Sequence, residues 1–329
     1  MTLIQPRLLG IAALLLATTG WGGMFLVSKG VLHHVDPVWF TVIRYGVSGT
    51  ALVLLLLPRG SAPWLKLRAH AGALALRGVA GFGAFSVMLL VGLAHSVPSH
   101  GAIIMATVPM TTQLLRWVLD GVRPARSALL TAALALAGVV VVSGVLLPAA
   151  QAGDSTLFGD AIALVGTIGW IVYTRGAARF TELDVVEYTA LTVLASWPLL
   201  VLGAVAATAL GLARVPTAAG LGLSWHALLY VGLVSSAVSV LAFNQGVRAL
   251  GAVTATAFLN FVPISVLLIG LALGKMPSGH ELAGMAMVIA ALLIHTAASR
   301  SASPPGQAPA PVRAARALAP ILSTCKPCV

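Results

Sequence analysis

Residues 8–27 read LLGIAALLLATTGWGGMFLV, and residues 157–176 read LFGDAIALVGTIGWIVYTRG. Both are apolar runs of membrane-crossing length, and both carry a Gly-Trp pair: Gly20-Trp21 in the first and Gly169-Trp170 in the second. A second pair of matches lies further along, Val108-Pro109 and Val262-Pro263. The offsets are 149 residues (169 minus 20) and 154 residues (262 minus 108), which describes one duplicated unit with small changes in loop length. Each copy holds about five apolar segments long enough to cross a bilayer. An odd number of crossings per copy forces the second to enter the membrane upside down. Inverted repeats of this kind are a common transporter architecture, with the solute site between the halves.

Composition agrees. Of 329 residues, 59% are hydrophobic and 8% charged, more apolar surface than a water-soluble domain could bury. The runs are continuously apolar rather than alternating, so helices are expected and not a barrel. The expected fold is an all-α membrane protein of ten transmembrane helices arranged as two inverted five-helix repeats. The spans fall near 8–28, 38–57, 72–94, 98–119, 127–147, 158–178, 187–207, 226–247, 252–274 and 280–299. The first repeat is expected over 1–150, the second over 151–300, and a disordered cytoplasmic tail over 301–329. The longest connections are expected near 58–71 and 208–225. The first run continues through Trp21 without a small-residue cleavage site, and so reads as a retained span rather than a signal peptide.

A net charge of +11 raises the question of nucleic acid. The placement of the charges answers it. With the N-terminus inside and ten crossings, 15 of the 19 Lys and Arg fall on the inner side; Lys29, Arg214 and Lys275 fall outside, and Arg44 lies within a span. This positive-inside bias puts both termini in the cytoplasm and leaves no basic stripe for nucleic acid. The Arg-rich, Ala-rich usage hints at a high-GC bacterium and hence an inner membrane. Cys325 and Cys328 form one C-x-x-C without a second pair, in an Ala/Pro/Ser-rich tail, and read as incidental. No metal site or cofactor is implied.

These residues, in this order, resemble the drug/metabolite transporter superfamily, in particular its ten-span EamA-type members. The resemblance covers about residues 8–299. It rests on Gly20-Trp21-Gly22, on Pro37 followed by Arg44-Tyr45, on Ala102–Pro109 and its copy Ala252–Pro263, and on Gly159-Asp160 followed by Gly169-Trp170. It implies a transporter of small molecules. One departure stands out. Relatives often close spans four and nine with Leu-Gly-Glu, whereas this chain has Leu119-Asp120-Gly121 and Leu273-Gly274-Lys275.

Several residues are candidates for the solute pathway. Pro109 and Pro263 occupy matching positions in spans four and nine, where a proline bends a helix and frees a carbonyl, as a gate or as a static kink. Arg44 is the one basic residue well inside a span; it reads as a contact for an anionic group or as an anchor, with Tyr45 beside it. Trp21 and Trp170 sit deeper than an interfacial belt, and Tyr173 shares a helix face with Trp170, which suits a cavity wall. Thr107, Gln113, Asn244, Thr256 and Asn260 supply neutral polar groups for a solute or for helix-to-helix bonds. The acids all fall in loops or at span ends. That argues against a carboxylate that alternately holds a proton and a lipophilic cation, and it favours neutral, zwitterionic or anionic solutes. His95 and His100 lie near the outer loop and read as surface histidines. The G-x-x-x-G pair Gly270/Gly274 reads as a close-packing site, within one chain or in a homodimer.

The expectation is therefore a secondary transporter of the inner membrane, not an enzyme, that exports amino acids or related small metabolites by alternating access. A drug or toxic-compound exporter of the same fold is the nearest alternative. A membrane enzyme acting on lipid-linked substrates lacks the paired acids or H-E-x-x-H such chemistry needs. A sensor or scaffold without transport gives the duplicated prolines no role.

Overall fold

The computed structural model describes residues 4–121, 123–124, 126–142, 156–177, 179–251, 255–256 and 258–301. The Cys325/Cys328 tail and most of the expected junction near residue 150 lie outside them. Among the described residues the chain is helical throughout. In chain order the helices are α1 (Ile4–Val31), α2 (Pro37–Leu56), α3 (Ala62–Ala94), α4 (Pro98–Ala106) and α5 (Val108–Asp120). They continue with α6 (Arg126–Val142), α7 (Leu157–Ala177), α8 (Val185–Ala209), α9 (Ala218–Leu250), α10 (Phe261–Ala272) and α11 (Gly279–Ser301). Six of these are long and apolar enough to cross a membrane alone, and α4 with α5 makes a seventh as a pair bent by 46°. The protein is a multi-pass membrane protein.

Local sequence explains where the helices start. Asp36 caps α2, its carboxylate accepting from the N–H of Val38, and Pro37 follows at the first helical position. At α8 Asp184 accepts from the N–H groups of Val186 and Glu187, while Glu187 reaches back to the N–H of Asp184, a complete capping box. Two helices begin earlier than hydropathy suggests. Helix α3 starts at Ala62 and α9 at Ala218, so both expected long connections are largely helical. In α3 the extra turns are polar and project past the apolar core. Lys66 there bonds Glu187 and His70 pairs with Glu182, which fixes the segment in place of lipid.

Both α3 and α9 contain a widened π-helical segment, Val79–Ala84 in one and Tyr230–Val238 in the other. Such segments mark functional positions in many helices. The packing pairs show a simple pattern. Helix α1 packs on the C-terminal part of α9, and α7 on the C-terminal part of α3; α8 packs on α3, and α2 on α9. The pairs α2–α8, α6–α11 and α4–α10 also meet. Exchanging α1–α6 for α7–α11 in order, with α4 and α5 taken as one span, maps this set of contacts onto itself.

Gly270 and Gly274 do not serve as a close-packing pair. Gly274 takes φ +73° just past α10 and ends that helix, a conformation that residues with a Cβ rarely adopt.

Candidate functional site

Trp21 and Trp170 meet at the centre. Their rings stand edge to face, 5.5 Å between centroids and 87° between planes. Each is placed by the glycine before it. A Cβ on Gly20 would lie 2.2 Å from Ser239 Oγ, and a Cβ on Gly169 would lie 2.2 Å from the carbonyl oxygen of Ala80. The glycines thus let α1 and α7 press against the widened turns of α9 and α3. Phe243 closes on both rings, 5.3 Å from Trp21 and 5.8 Å from Trp170, and Phe85 lies 5.5 Å from Trp170. From Trp170 the aromatic contacts run on through Tyr173 to Phe82 and Tyr45 on one side, and to Tyr188 and Phe180 on the other. Ring pairs of this kind add about 0.5–1.5 kcal/mol each beyond simple burial.

Polar atoms with no protein partner lie buried along this aromatic core. Trp21 Nε1 donates to the carbonyl of Ser235 at 3.0 Å, but Trp170 Nε1 has no acceptor. Asn244 Nδ2 donates to Tyr173 Oη and to Thr189 Oγ1, both at 2.9 Å, and leaves its Oδ1 unpartnered. Arg44 is buried, its Nε bonded to Ser236 Oγ at 2.9 Å and its guanidinium 4.9 Å from the Tyr45 ring centre, with Nη1 unpartnered. Arg44 is thus held inside the protein, at 3% exposure, and does not reach the headgroups. Tyr45 shares a hydrogen bond of 3.0 Å with Ser86. Buried polar groups left open are costly and rare, so a row of donors and acceptors of this kind suits a solute.

Both prolines stand just after a break, not in mid-helix. The bent pair α4–α5 breaks at Thr107, whose Oγ1 donates back to the carbonyl of Ile104 at 2.7 Å; Pro109 then occupies the first turn of α5. Asn260 is the residue before α10, and Pro263 falls in that helix's first turn. Prolines belong there because the first-turn N–H groups have no intrahelical acceptor. Asn260 Oδ1 is buried and unpartnered. Thr256 lies just upstream, its carbonyl accepting from the N–H of Leu259 at 3.1 Å. Gln113 is half-buried on α5, past the break. The structure therefore gathers Trp21, Arg44, Tyr45, Trp170, Tyr173 and Asn244 around the aromatic core. It sets Thr107, Pro109, Thr256, Asn260 and Pro263 at the two helix breaks.

At the Arg-rich end, a cavity of about 390 Å³ opens beside Phe180, Val185, Tyr188, Asn244, Val247 and Arg248. Asn244 and Tyr188, which line it, also belong to the aromatic core or bond to it. Three ion pairs join distant segments of the chain: Arg59 with Asp184, Lys66 Nζ with Glu187 at 2.7 Å, and Arg175 forked onto Asp120 at 2.6 and 2.8 Å. Burial pushes the Asp184 carboxyl up, but the N–H of Glu187, the Arg59 guanidinium and the N–H of Val186 outweigh it and hold the group below the usual carboxylate range.

Sequence reading missed Phe82, Phe85, Phe243, Ser235 and Ser236, which line or support this core. The Phe243-Asn244 neighbourhood and the glycines of span three were visible signals. The widened turns that aim these side chains have no periodicity to read. The reading of His100 as a surface group is also corrected, since it is 3% exposed and bonded to the equally buried Asp160.

The EamA-like transporter family model matches residues 8–144 and again residues 157–297. The "Uncharacterized transporter YrdR" of Bacillus subtilis (strain 168) is 29% identical over 292 residues, covering 87% of this chain and 91% of that protein. The "Probable terminal-alkyne amino-acid exporter" of Streptantibioticus cattleyicolor is 27% identical over 294 residues, covering 82% of this chain and 93% of that protein. A crystal structure 21% identical in sequence superposes with a TM-score of 0.59, covering 91% of this chain and 99% of that one, so the fold is shared. Matched along nearly all of both halves, this chain belongs to the EamA-like transporter family.

Proposed function

We propose that this protein is a ten-span secondary transporter, two inverted five-helix repeats, that exports amino acids or related small metabolites by alternating access. The observation that carries the reading is the meeting of Trp21 and Trp170. Repeat-equivalent residues touch at the centre, within a set of packing pairs that survives exchange of the halves. Such a core can tilt one way or the other about the same pivot, which is what alternating access requires. The positive-inside bias assigns the Arg-rich end to the cytoplasm, with both termini there. The cavity lined by Asn244 is then the entry from the cytoplasm, and the three ion pairs separate and re-form as the halves move.

The chemistry of the cavity supports a zwitterionic solute. Asn244 Oδ1 is an open acceptor for an ammonium group, Arg248 brings a cation to the same cavity, and Phe180, Val185, Tyr188 and Val247 offer an apolar wall. Among the described residues no carboxylate lies in the aromatic core to hold a lipophilic cation. The similarity to a probable amino-acid exporter points the same way.

Counterflow in proteoliposomes tests the proposal, with a panel of L-leucine, L-phenylalanine, small carboxylates and lipophilic cations. Saturable exchange of an amino acid supports it. Exchange confined to lipophilic cations would make the protein a drug exporter and overturn the solute assignment. No exchange of any member by folded protein would remove the amino-acid reading.

A further inference from the structure

Arg44 is a buried cation without a countercharge. It stands seven residues along α2 from Pro37, about 10 Å of helix, and is 3% exposed. Among the described residues no ion pair includes it. Helices α1, α2, α3 and α9 carry no acid. On α7 and α8, Asp160 faces His100 and Glu187 holds Lys66. The guanidinium is fixed at one edge. Its Nε donates to Ser236 Oγ at 2.9 Å, and that hydroxyl donates on to the carbonyl of Val231 at 2.8 Å. The Tyr45 ring centre lies 4.9 Å from the guanidinium carbon. Nη1 is left with no acceptor. A guanidinium keeps its charge on burial, and an unpaired buried charge is costly.

The open groups around it are free to donate as well. Ser48 stands one turn further along α2, on the face that carries Arg44. On the same helix Thr41 and Thr50 turn their hydroxyls back to the carbonyls of Pro37 and Gly46, at 3.0 and 2.9 Å, as helical hydroxyls often do. Ser48 is fully buried, yet its hydroxyl makes no such bond. On α9 the hydroxyl of Ser235, next in the chain to the serine that fixes Arg44, is also buried and open. The Ser235 carbonyl takes Trp21 Nε1, and Trp21 meets Trp170, whose own Nε1 is open. The groups left over are thus one cation, an indole N–H and two hydroxyls. They suit a ligand that is negative and only accepts, and the planar fork of a guanidinium matches a carboxylate. The open acceptor Asn244 Oδ1 lies eight residues past Ser236, about 12 Å along α9, which is more than the adjacent charges of one α-amino acid can span.

We propose that Arg44 is a carboxylate-binding station in the core, separate from the cavity lined by Asn244. Nη1 and the Ser48 hydroxyl hold the carboxylate of the solute, and that carboxylate supplies the missing countercharge. The solute's ammonium group is received at Asn244 and its carboxylate at Arg44, in two steps and not in one pocket. Passage between the two stations rests on the amino-acid and alternating-access reading; the binding of a carboxylate at Arg44 does not.

Thermal denaturation of the full chain in detergent tests this without transport. The probes are L-leucine, isovalerate and L-leucinamide, with sodium chloride as the inorganic anion, each at about 10 mM. The two carboxylates should raise the parent's midpoint by at least about 3 °C, and leucinamide and chloride by less than about 1 °C. Arg44→Gln can still donate to Ser236 but removes the unpaired charge. Without a probe it should melt at or above the parent's midpoint, and the carboxylate shift should vanish. Arg44→Lys restores a cation without the fork and should recover part of the shift. A purely structural anchor reverses the first result, because Arg44→Gln then melts well below the parent or does not fold, and either outcome overturns the proposal. So does a shift that survives in Arg44→Gln, an equal shift with leucinamide or with chloride, or no shift with either carboxylate. A shift with isovalerate and none with leucine keeps the carboxylate station and removes the amino-acid reading. A shift with leucine alone keeps both and makes the ammonium group part of what is bound.

Discussion

Alanine at Gly169 should cost this protein more than alanine at Gly20, although each glycine precedes one of the two central tryptophans. The difference lies in what the new methyl group meets. At Gly169 the Cβ would sit 2.2 Å from the Ala80 oxygen, 3.0 Å from the Ala80 carbonyl carbon and 3.2 Å from the Phe85 nitrogen, all of them backbone atoms. Helix α7 would have to retreat by about 1 Å from the widened turn of α3 to restore ordinary contact. Overpacking of that kind costs about 1–3 kcal/mol, and alanine's better helix propensity returns about 1 of it. At Gly20 the clash at 2.2 Å is with Ser239 Oγ, while Ser239 Cβ and Val234 Cγ1 are both at 3.6 Å. That hydroxyl has no partner and can swing to another rotamer, so the propensity gain roughly cancels the cost. Thermal denaturation in detergent, followed by loss of the monodisperse peak, should show an apparent midpoint lower by about 2–6 °C for Gly169→Ala and within about 2 °C of the parent for Gly20→Ala. A loss at Gly20 equal to or greater than that at Gly169 would refute the argument that backbone and side-chain neighbours make the difference.

Three further outcomes follow from the same geometry. Asn244→Leu removes two hydrogen bonds within the membrane, each worth about 0.6 kcal/mol, together with the open acceptor in the cavity lining; counterflow KM should rise about tenfold while the melting midpoint falls by only a few degrees, and a collapse of folding without a KM change would limit Asn244 to a structural role. Pro263→Ala restores an N–H at the start of α10 and should slow exchange more than it lowers the amount of folded protein; equal losses in transport assays and in quantitative blots would make the proline structural only. Asp184→Asn keeps the capping geometry but loses the charge: because the native carboxyl is held below its usual range, its stabilisation is full above the ordinary carboxylate range and is lost as pH falls through the native value. The gap in melting temperature between parent and Asp184→Asn should therefore be widest near neutral pH and close in acid, and a gap that is constant with pH would count against the ionic contribution.

Much of this molecule is legible in one dimension, for a physical reason. Whether a segment enters lipid depends on its own composition, so apolar runs marked α1, α2, α7 and α8 to within a few residues at most of their ends. Matching motifs are likewise a property of the string, and Gly20-Trp21 with Gly169-Trp170 named two side chains that meet in the core. Where polar residues carried a helix past the apolar core, as at Ala62–His70, hydropathy stopped short, because ion pairs with Glu182 and Glu187 hold that segment and not lipid. The prolines pointed to irregular helices, but the breaks fall at Thr107 and beside Asn260, and the prolines stand in the first turn after each.

What only the tertiary structure decided is which polar groups face each other. Trp21 bonds a carbonyl 214 residues away, Arg44 a hydroxyl 192 away, and His100 a carboxylate 60 away. No local pattern encodes such pairings. A histidine and an aspartate at two span ends look like surface groups when read in order, and they become a buried pair when two halves close on each other. The sequence determined a multi-pass membrane protein of the EamA-like transporter family. The packing of one half against the other decided where its aromatic core lies, which of its polar atoms are left open, and that Arg44 is buried without a countercharge, because those properties belong to contacts between distant segments and not to any segment alone.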